Sequence, residues 1–248
     1  MLTSNTAQLS NGVQLFYTDS GSVANSSDYT TVIFVHGTGI NGHVFEILHR
    51  VAASRNLRTI SVNRRDYPGS TPFTDQDLVD VKNGKQGSID SYAVLMVDFI
   101  CYVADNLQIP PASVDHSSGG IALVGWSHGG AVALWTLSNP EVVSCPQIAT
   151  LEKFLKTVIM YDSAVQSLGF PVPKAEPVGD EPKSTEEYFQ KLPLWLTCYF
   201  DHPVDWNGDV NLLDRRFTSG KATWNILSEE EKASFATWQA MNRFELPM

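Results

Sequence analysis

Cysteine is scarce and scattered. The chain has three in 248 residues, Cys101, Cys145 and Cys198. An odd, widely spaced set of thiols builds no disulfide framework and suits a reducing compartment. No Cys-x-x-Cys or His-x-x-x-His spacing is present, so no metal site is expected. Positive charge is also short. The net charge is −10, which excludes binding to a phosphate backbone and gives nothing to an anionic membrane surface. The opening Met1-Leu2-Thr3-Ser4-Asn5-Thr6 lacks a basic region and an apolar run, so no secretory leader is expected. The longest mainly apolar stretch, Tyr92–Ala104, is interrupted by Asp98 and is too short and polar to span a bilayer. The expectation is a cytoplasmic protein with no nucleic-acid or membrane partner and no cofactor. One further absence matters below: no histidine follows His202.

What is present is a large apolar fraction, 43%, against 18% charged residues, enough to build one substantial core. Asn11-Gly12 lies between Ala7–Leu9 and Val13–Asp19 and predicts an antiparallel hairpin. Thr31–Val35, Arg58–Val62, Ile121–Val124 and Thr157–Tyr161 are short β-branched runs of the kind buried on both faces of a parallel sheet. Helical patterns separate them. One covers Val44–Ala53, and another has Tyr92, Leu95, Met96, Phe99 and Val103 on one stripe. The expected class is α/β, a mostly parallel sheet with helices on both faces, preceded by the hairpin. Past Ser163 the character changes. Residues 170–184 are rich in Pro, Lys, Glu and Asp and read as a linker. Beyond them the chain is helical and aromatic, with Trp195, Trp206, Trp224 and Trp238. Ser228 and Glu231 form a capping box opening a helix that carries Phe235, Trp238 and Met241 on one face.

The chemistry centres on Gly125-Trp126-Ser127-His128-Gly129, between a strand and the helix Gly129–Leu137. Glycines two residues either side of a serine allow a tight turn that lifts the hydroxyl above the strand end. The next helix aims its free N–H groups at the same spot. The His128 N–H is the expected first donor to a developing oxyanion. A second donor is expected from the loop His36-Gly37-Thr38-Gly39, where Gly37 and Gly39 let the backbone turn inward and Thr38 offers its N–H. His36 reads as a brace for that loop, and His43, His49 and His116 as ordinary helix and loop residues. Arg64-Arg65-Asp66 reads as an internally paired cluster, with binding of a substrate carboxylate as the alternative.

These motifs resemble the α/β-hydrolase superfamily, in the type with a lid after the sixth strand. The resemblance runs from about Val13 to Ser163 and includes Asn63–Ser70, which is similar to an Asp-x-Arg-Gly-x-Gly-x-Ser loop with Asp66 in place of a glycine. It implies a core over residues 1–165, lacking the last two core strands, and a helical lid over 166–248. With Ser127 rather than aspartate at the elbow, it implies cleavage of a carboxylic ester or related acyl bond through an acyl-enzyme, with a small apolar substrate if the aromatic lid covers Ser127, the alternative being that its tryptophans only fix the lid to the core. It also implies an acid and a histidine beyond the lid, where the chain ends. Within the chain the remaining candidates are Asp162 as acid, against a plain strand-end carboxylate, and His202 as base, oriented by Asp201 or Asp205, against a loop histidine beside proline. The alternative to an enzyme is a truncated or impaired hydrolase-fold protein in a binding role, self-associating through an exposed sheet edge.

Overall fold

The structure is a computed structural model and describes residues 2–163, 169–170, 185–198, 204–209 and 222–245. Six strands form one sheet in the order β1-β2-β4-β3-β5-β6. The hairpin is β1 (Thr3–Gln8) and β2 (Gln14–Asp19), turned at Gly12 with φ 79°. β2 pairs antiparallel with β4 (Leu57–Val62). The rest is parallel: β3 (Thr30–Val35) lies between β4 and β5 (Ile121–Trp126), and β6 (Leu155–Tyr161) closes the row. The expected hairpin, parallel sheet and flanking helices are all present.

The core follows from the β-branched runs. Ile33, Val35, Ile60, Val62, Ile121 and Leu123 are fully buried, as residues of central strands covered on both faces must be. Gly42–Phe45 forms a short 3₁₀ turn before α1 (Glu46–Ala52). α2 (Asp75–Lys82) is a helix that the sequence reading passed over. Thr74 and Asp77 make a reciprocal capping box at its start. α3 (Gln86–Asn106) buries Tyr92, Leu95, Met96, Phe99 and Val103, the predicted stripe. This helix is long and apolar enough to cross a membrane by length and composition, and its apolar residues pack in the core. α4 (His128–Ser138) and α5 (Cys145–Phe154) complete the helices of the sheet region. β6 lies at the end of the sheet, with Ile159, Met160 and Tyr161 exposed.

The chain divides into two compact units, Met1–Phe170 with Phe235–Met248, and Pro171–Ser234. The C-terminal segment groups with the first unit. The predicted helix through Phe235, Trp238 and Met241 is also broken. α7 (Glu229–Phe235) has its capping box at Ser228 and Glu231, but it stops there. Ala236 bridges Ile40, the Asn41 N–H donates to the Phe235 carbonyl (2.8 Å), and the Thr237 N–H donates to the Gly39 carbonyl (2.7 Å). These main-chain bonds to another loop replace the helical ones. The chain then makes a single turn, α8 (Trp238–Ala240), and a π turn over Met241–Glu245. In the second unit α6 (Thr185–Leu196) contains Pro193, and the Thr197 hydroxyl accepts from the Trp224 N–H (3.0 Å).

Candidate active site

β5 ends at Trp126, and Ser127 takes φ 53° and ψ −121° before α4 begins. This is the left-handed side of the backbone map, where a non-glycine residue costs about 1–3 kcal/mol unless its surroundings over-determine it. They do. The Ser127 N–H donates to the Tyr161 carbonyl at the end of β6 (3.0 Å), and the Gly130 N–H donates to the Ser127 carbonyl (2.9 Å). The flanking glycines are required by close approach. A Cβ on Gly125 would lie 2.1 Å from the Gly129 carbonyl oxygen, and one on Gly129 would lie 2.2 Å from the Val35 carbonyl oxygen. Ser127 is half-buried, and among the described residues its hydroxyl has no hydrogen-bond partner.

The loop after β3 stands against this turn. A Cβ on Gly37 would lie 3.0 Å from the Ser127 Cβ and 3.5 Å from its Oγ. Among the described residues, the N–H groups of Thr38 and His128 donate no hydrogen bond. The Gly39 N–H is taken, by the Tyr67 hydroxyl (3.0 Å) and the Glu245 Oε2 (3.2 Å). Trp238 seats directly on Gly39, where a Cβ would meet its ring at 2.7 Å.

His36 is fully buried. Its Nε2 accepts the Arg64 N–H (3.1 Å), so Nδ1 carries the proton and donates to the Gly37 carbonyl (2.9 Å). Burial first, and Arg64 second, hold its pKa well below the usual histidine range. The imidazole thus ties the turn after β4 to the turn after β3.

Arg64, Arg65 and Asp66 do not pair with one another, contrary to the sequence reading. Arg65 bonds Asp77 (3.0 Å), and Asp66 bonds Arg243 and the Phe73 N–H. Arg64 donates to the Gly37 carbonyl (2.9 Å) and to a carboxylate oxygen of Glu245, and both side chains of that pair are about 3% exposed. Tyr67 donates to the other Glu245 oxygen (2.9 Å). On a turn, adjacent side chains diverge, so each reaches a different element. Asp66 has φ 69°, the conformation for which glycine is suited at this place in the similar loop.

Residues 32–245 match the model of the alpha/beta hydrolase family, well over half of the chain. The chain belongs to that family. Among solved structures this chain is similar in fold to a membrane phospholipase A described as a bacterial virulence factor, at 16% identity and TM-score 0.50, covering 99% of this chain and 60% of that one. A Vigna radiata epoxide hydrolase variant is similar at 14% identity and TM-score 0.47, covering 99% and 69%. An esterase from Exiguobacterium antarcticum is similar at 19% identity and TM-score 0.41, covering 65% and 46%, so this chain spans under half that esterase's length. No curated protein matches the sequence.

The structure places the other expected residues as follows. Asp162 follows β6 with φ 47°, is exposed, and makes no hydrogen bond among the described residues. His202 and Asp201 lie outside the described residues, and Asp205 is exposed. A cavity of about 180 Å³ lies beside α2 and α3, lined by Phe73, Asp77 and Tyr92 among others, and no residue of His36–Gly39 or Gly125–Gly129 borders it. The sequence reading missed Glu245, Arg64 and Tyr67 as a convergent group. Only the Asn63–Ser70 segment signalled part of it.

The His128 ring packs edge-on to Trp135, and its Nε2 is buried without a hydrogen-bond partner. Burial, then Arg64, push its pKa down to about 4, with Glu245 opposing. An unfolded imidazole titrates near 6.5. Between those values the unfolded chain binds more protons, so stability is complete above about 6.5 and is lost as pH falls towards 4. His128→Gln is expected to flatten the dependence of unfolding free energy on pH in that window, by about 1–3 kcal/mol overall. Urea denaturation at a series of pH values measures it, and an unaltered slope contradicts a neutral buried ring.

Proposed function

We propose that this chain is a serine-type hydrolase that cleaves a carboxylic ester or related acyl bond of a small, largely apolar substrate. The observation that carries the reading is the backbone at Ser127, φ 53° and ψ −121° between β5 and α4, with Gly37 packed against its Oγ. In this reading the Ser127 hydroxyl gives its proton to a base as Oγ attacks the carbonyl carbon. The N–H groups of His128 and Thr38, which donate to nothing else among the described residues, receive the oxyanion. Each such donor is worth about 3–4 kcal/mol of barrier. Collapse expels the alcohol, which takes the proton back, and water then releases the acid from Ser127. His202 is the base of this proposal and Asp162 its acid. An aspartate at the elbow would form an ester with an opened epoxide, but a serine alkoxide suits acyl transfer.

A second reading also has a specific observation behind it. No described histidine or carboxylate bonds the Ser127 hydroxyl, and a serine without a base keeps only the residual rate from binding and oxyanion stabilisation. On that reading the protein binds ligands in the hydrolase fold without efficient turnover. Labelling by a fluorophosphonate probe separates the two. The full chain is expected to label and Ser127→Ala to lose the label. No difference between them rejects the hydrolase reading.

A further inference from the structure

Three donors converge on one carboxylate beside the elbow. Arg64 Nη2 contacts one oxygen of Glu245, and the Tyr67 hydroxyl (2.9 Å) and Gly39 N–H (3.2 Å) meet the other. The donors belong to the turns after β3 and β4. The carboxylate arrives from 181 residues away in sequence. We propose that Arg64, Tyr67 and Gly39 form a carboxylate-binding subsite for the substrate, occupied in this structure by Glu245 as a displaceable internal stand-in. The assignment of a substrate to the subsite rests on the acyl-transfer reading of Ser127.

The donors are held in place without Glu245. The Arg64 main chain is bonded by His36, and its guanidinium also bonds the Gly37 carbonyl (2.9 Å) and stacks over the Tyr67 ring, 4.9 Å from the centroid. The Tyr67 ring in turn packs edge-on to His36 at 4.2 Å. A guanidinium this deeply buried needs an anion, and a two-oxygen ligand matches its geometry better than a point charge does. Glu245 leaves part of the demand unmet. Arg64 Nε and His128 Nε2 are both buried without a hydrogen-bond partner. A ligand with polar atoms beyond one carboxylate would satisfy more of the site than the glutamate does.

The position relates the subsite to the reaction. The residue whose carbonyl holds Arg64 is Gly37, and Gly37 is also the residue packed on Ser127. Gly37 therefore touches both the guanidinium of Arg64 and the side chain of Ser127. A half-ester of a short dicarboxylic acid, apolar apart from its one free carboxylate, would set that carboxylate on Arg64 and its ester carbonyl over Ser127. Glu245 competes with it, so the C-terminal turn must release the carboxylate before such a substrate binds.

Acetate tests the subsite without any turnover. Glu245→Ala in the full chain is expected to show a saturable rise in Tm with acetate that chloride at equal ionic strength does not give. The parent and the double variant Arg64→Met/Glu245→Ala are expected to show none. If Glu245→Ala is unfolded in buffer, acetate must restore its circular dichroism. No response to acetate, or an equal response in the double variant, overturns the subsite. The substrate class is read from kcat/KM for monoethyl succinate against ethyl butanoate. Glu245→Gln is expected to shift that ratio by about tenfold towards the carboxylate-bearing ester, and an unmoved ratio overturns the substrate assignment. Equal fluorophosphonate labelling of the full chain and Ser127→Ala would remove the acyl-transfer reading and leave the acetate titration as an independent result.

Discussion

Gly129→Ala, the addition of one methyl group, is expected to destabilise the protein by at least about 3 kcal/mol, and Gly125→Ala by a similar amount. A Cβ on Gly129 would stand 2.2 Å from the Val35 carbonyl oxygen and 2.8 Å from that of His36. Neither oxygen can retreat cheaply, because Val35 is paired with Val62 on one side and with Gly125 on the other. At Gly125 the new atom would meet the Gly129 carbonyl oxygen at 2.1 Å and the Gly130 Cα at 2.6 Å. All these obstacles are backbone, so no rotamer change relieves them. A domain holds only about 5–15 kcal/mol in all, so either variant removes a large share. Gly87 in α3 is the control, since a Cβ there meets nothing within 4 Å. Gly87→Ala is expected to be neutral or to gain about 0.5–1 kcal/mol through helix propensity. Urea denaturation of the three variants checks the contrast, and a Gly129→Ala protein as stable as the parent would contradict the packing described.

The second large effect is expected at Arg58 and Asp19. This pair joins β4 to β2 through two bonds, Nε to Oδ1 at 2.9 Å and Nη2 to Oδ2 at 2.5 Å, and both side chains are nearly inaccessible. Arg58 also reaches the Leu107 carbonyl just beyond α3 (2.9 Å), and Asp19 accepts the Gly21 N–H (2.8 Å). Each ion is thus satisfied on several sides, the condition under which a buried pair repays its desolvation. Removing either partner leaves the other charged and dry. Asp19→Ala and Arg58→Met are each expected to cost about 3–5 kcal/mol. Arg58→Met/Asp19→Ala is expected to cost clearly less than the sum, because it strands no charge. A double-mutant cycle by denaturation measures the difference, and simple additivity would show that the two groups act separately.

The sheet was legible in the sequence because each strand carries its own signal. Thr31–Val35 and Ile121–Val124 are β-branched or apolar at almost every position, and burial on both faces asks for that. The serine turn was legible for the same reason: its requirements fall within five consecutive residues. What escaped was non-local. Nothing around Glu245 marks it, and its partners lie near residues 39 and 64–67. The helical period through Phe235, Trp238 and Met241 is real, yet main-chain bonds from residues 39 and 41 end the helix at Phe235. Tertiary contacts overrode propensity there. α2 is a different case. Its capping signal, Thr74 with Asp77, is local and present in the sequence. Asp66 departs from a glycine pattern, and its positive φ shows that the conformation persists although the residue type does not.

The ring of His36 has a consequence for how the floor of the site fails. One nitrogen gives a proton to Gly37 and the other receives one from Arg64. A second proton on that ring would set two donors face to face, forcing the two turns to part where they now touch. The framework beneath Ser127 is therefore a joint that closes in a single protonation state, and acid would open it from below rather than from the solvent side.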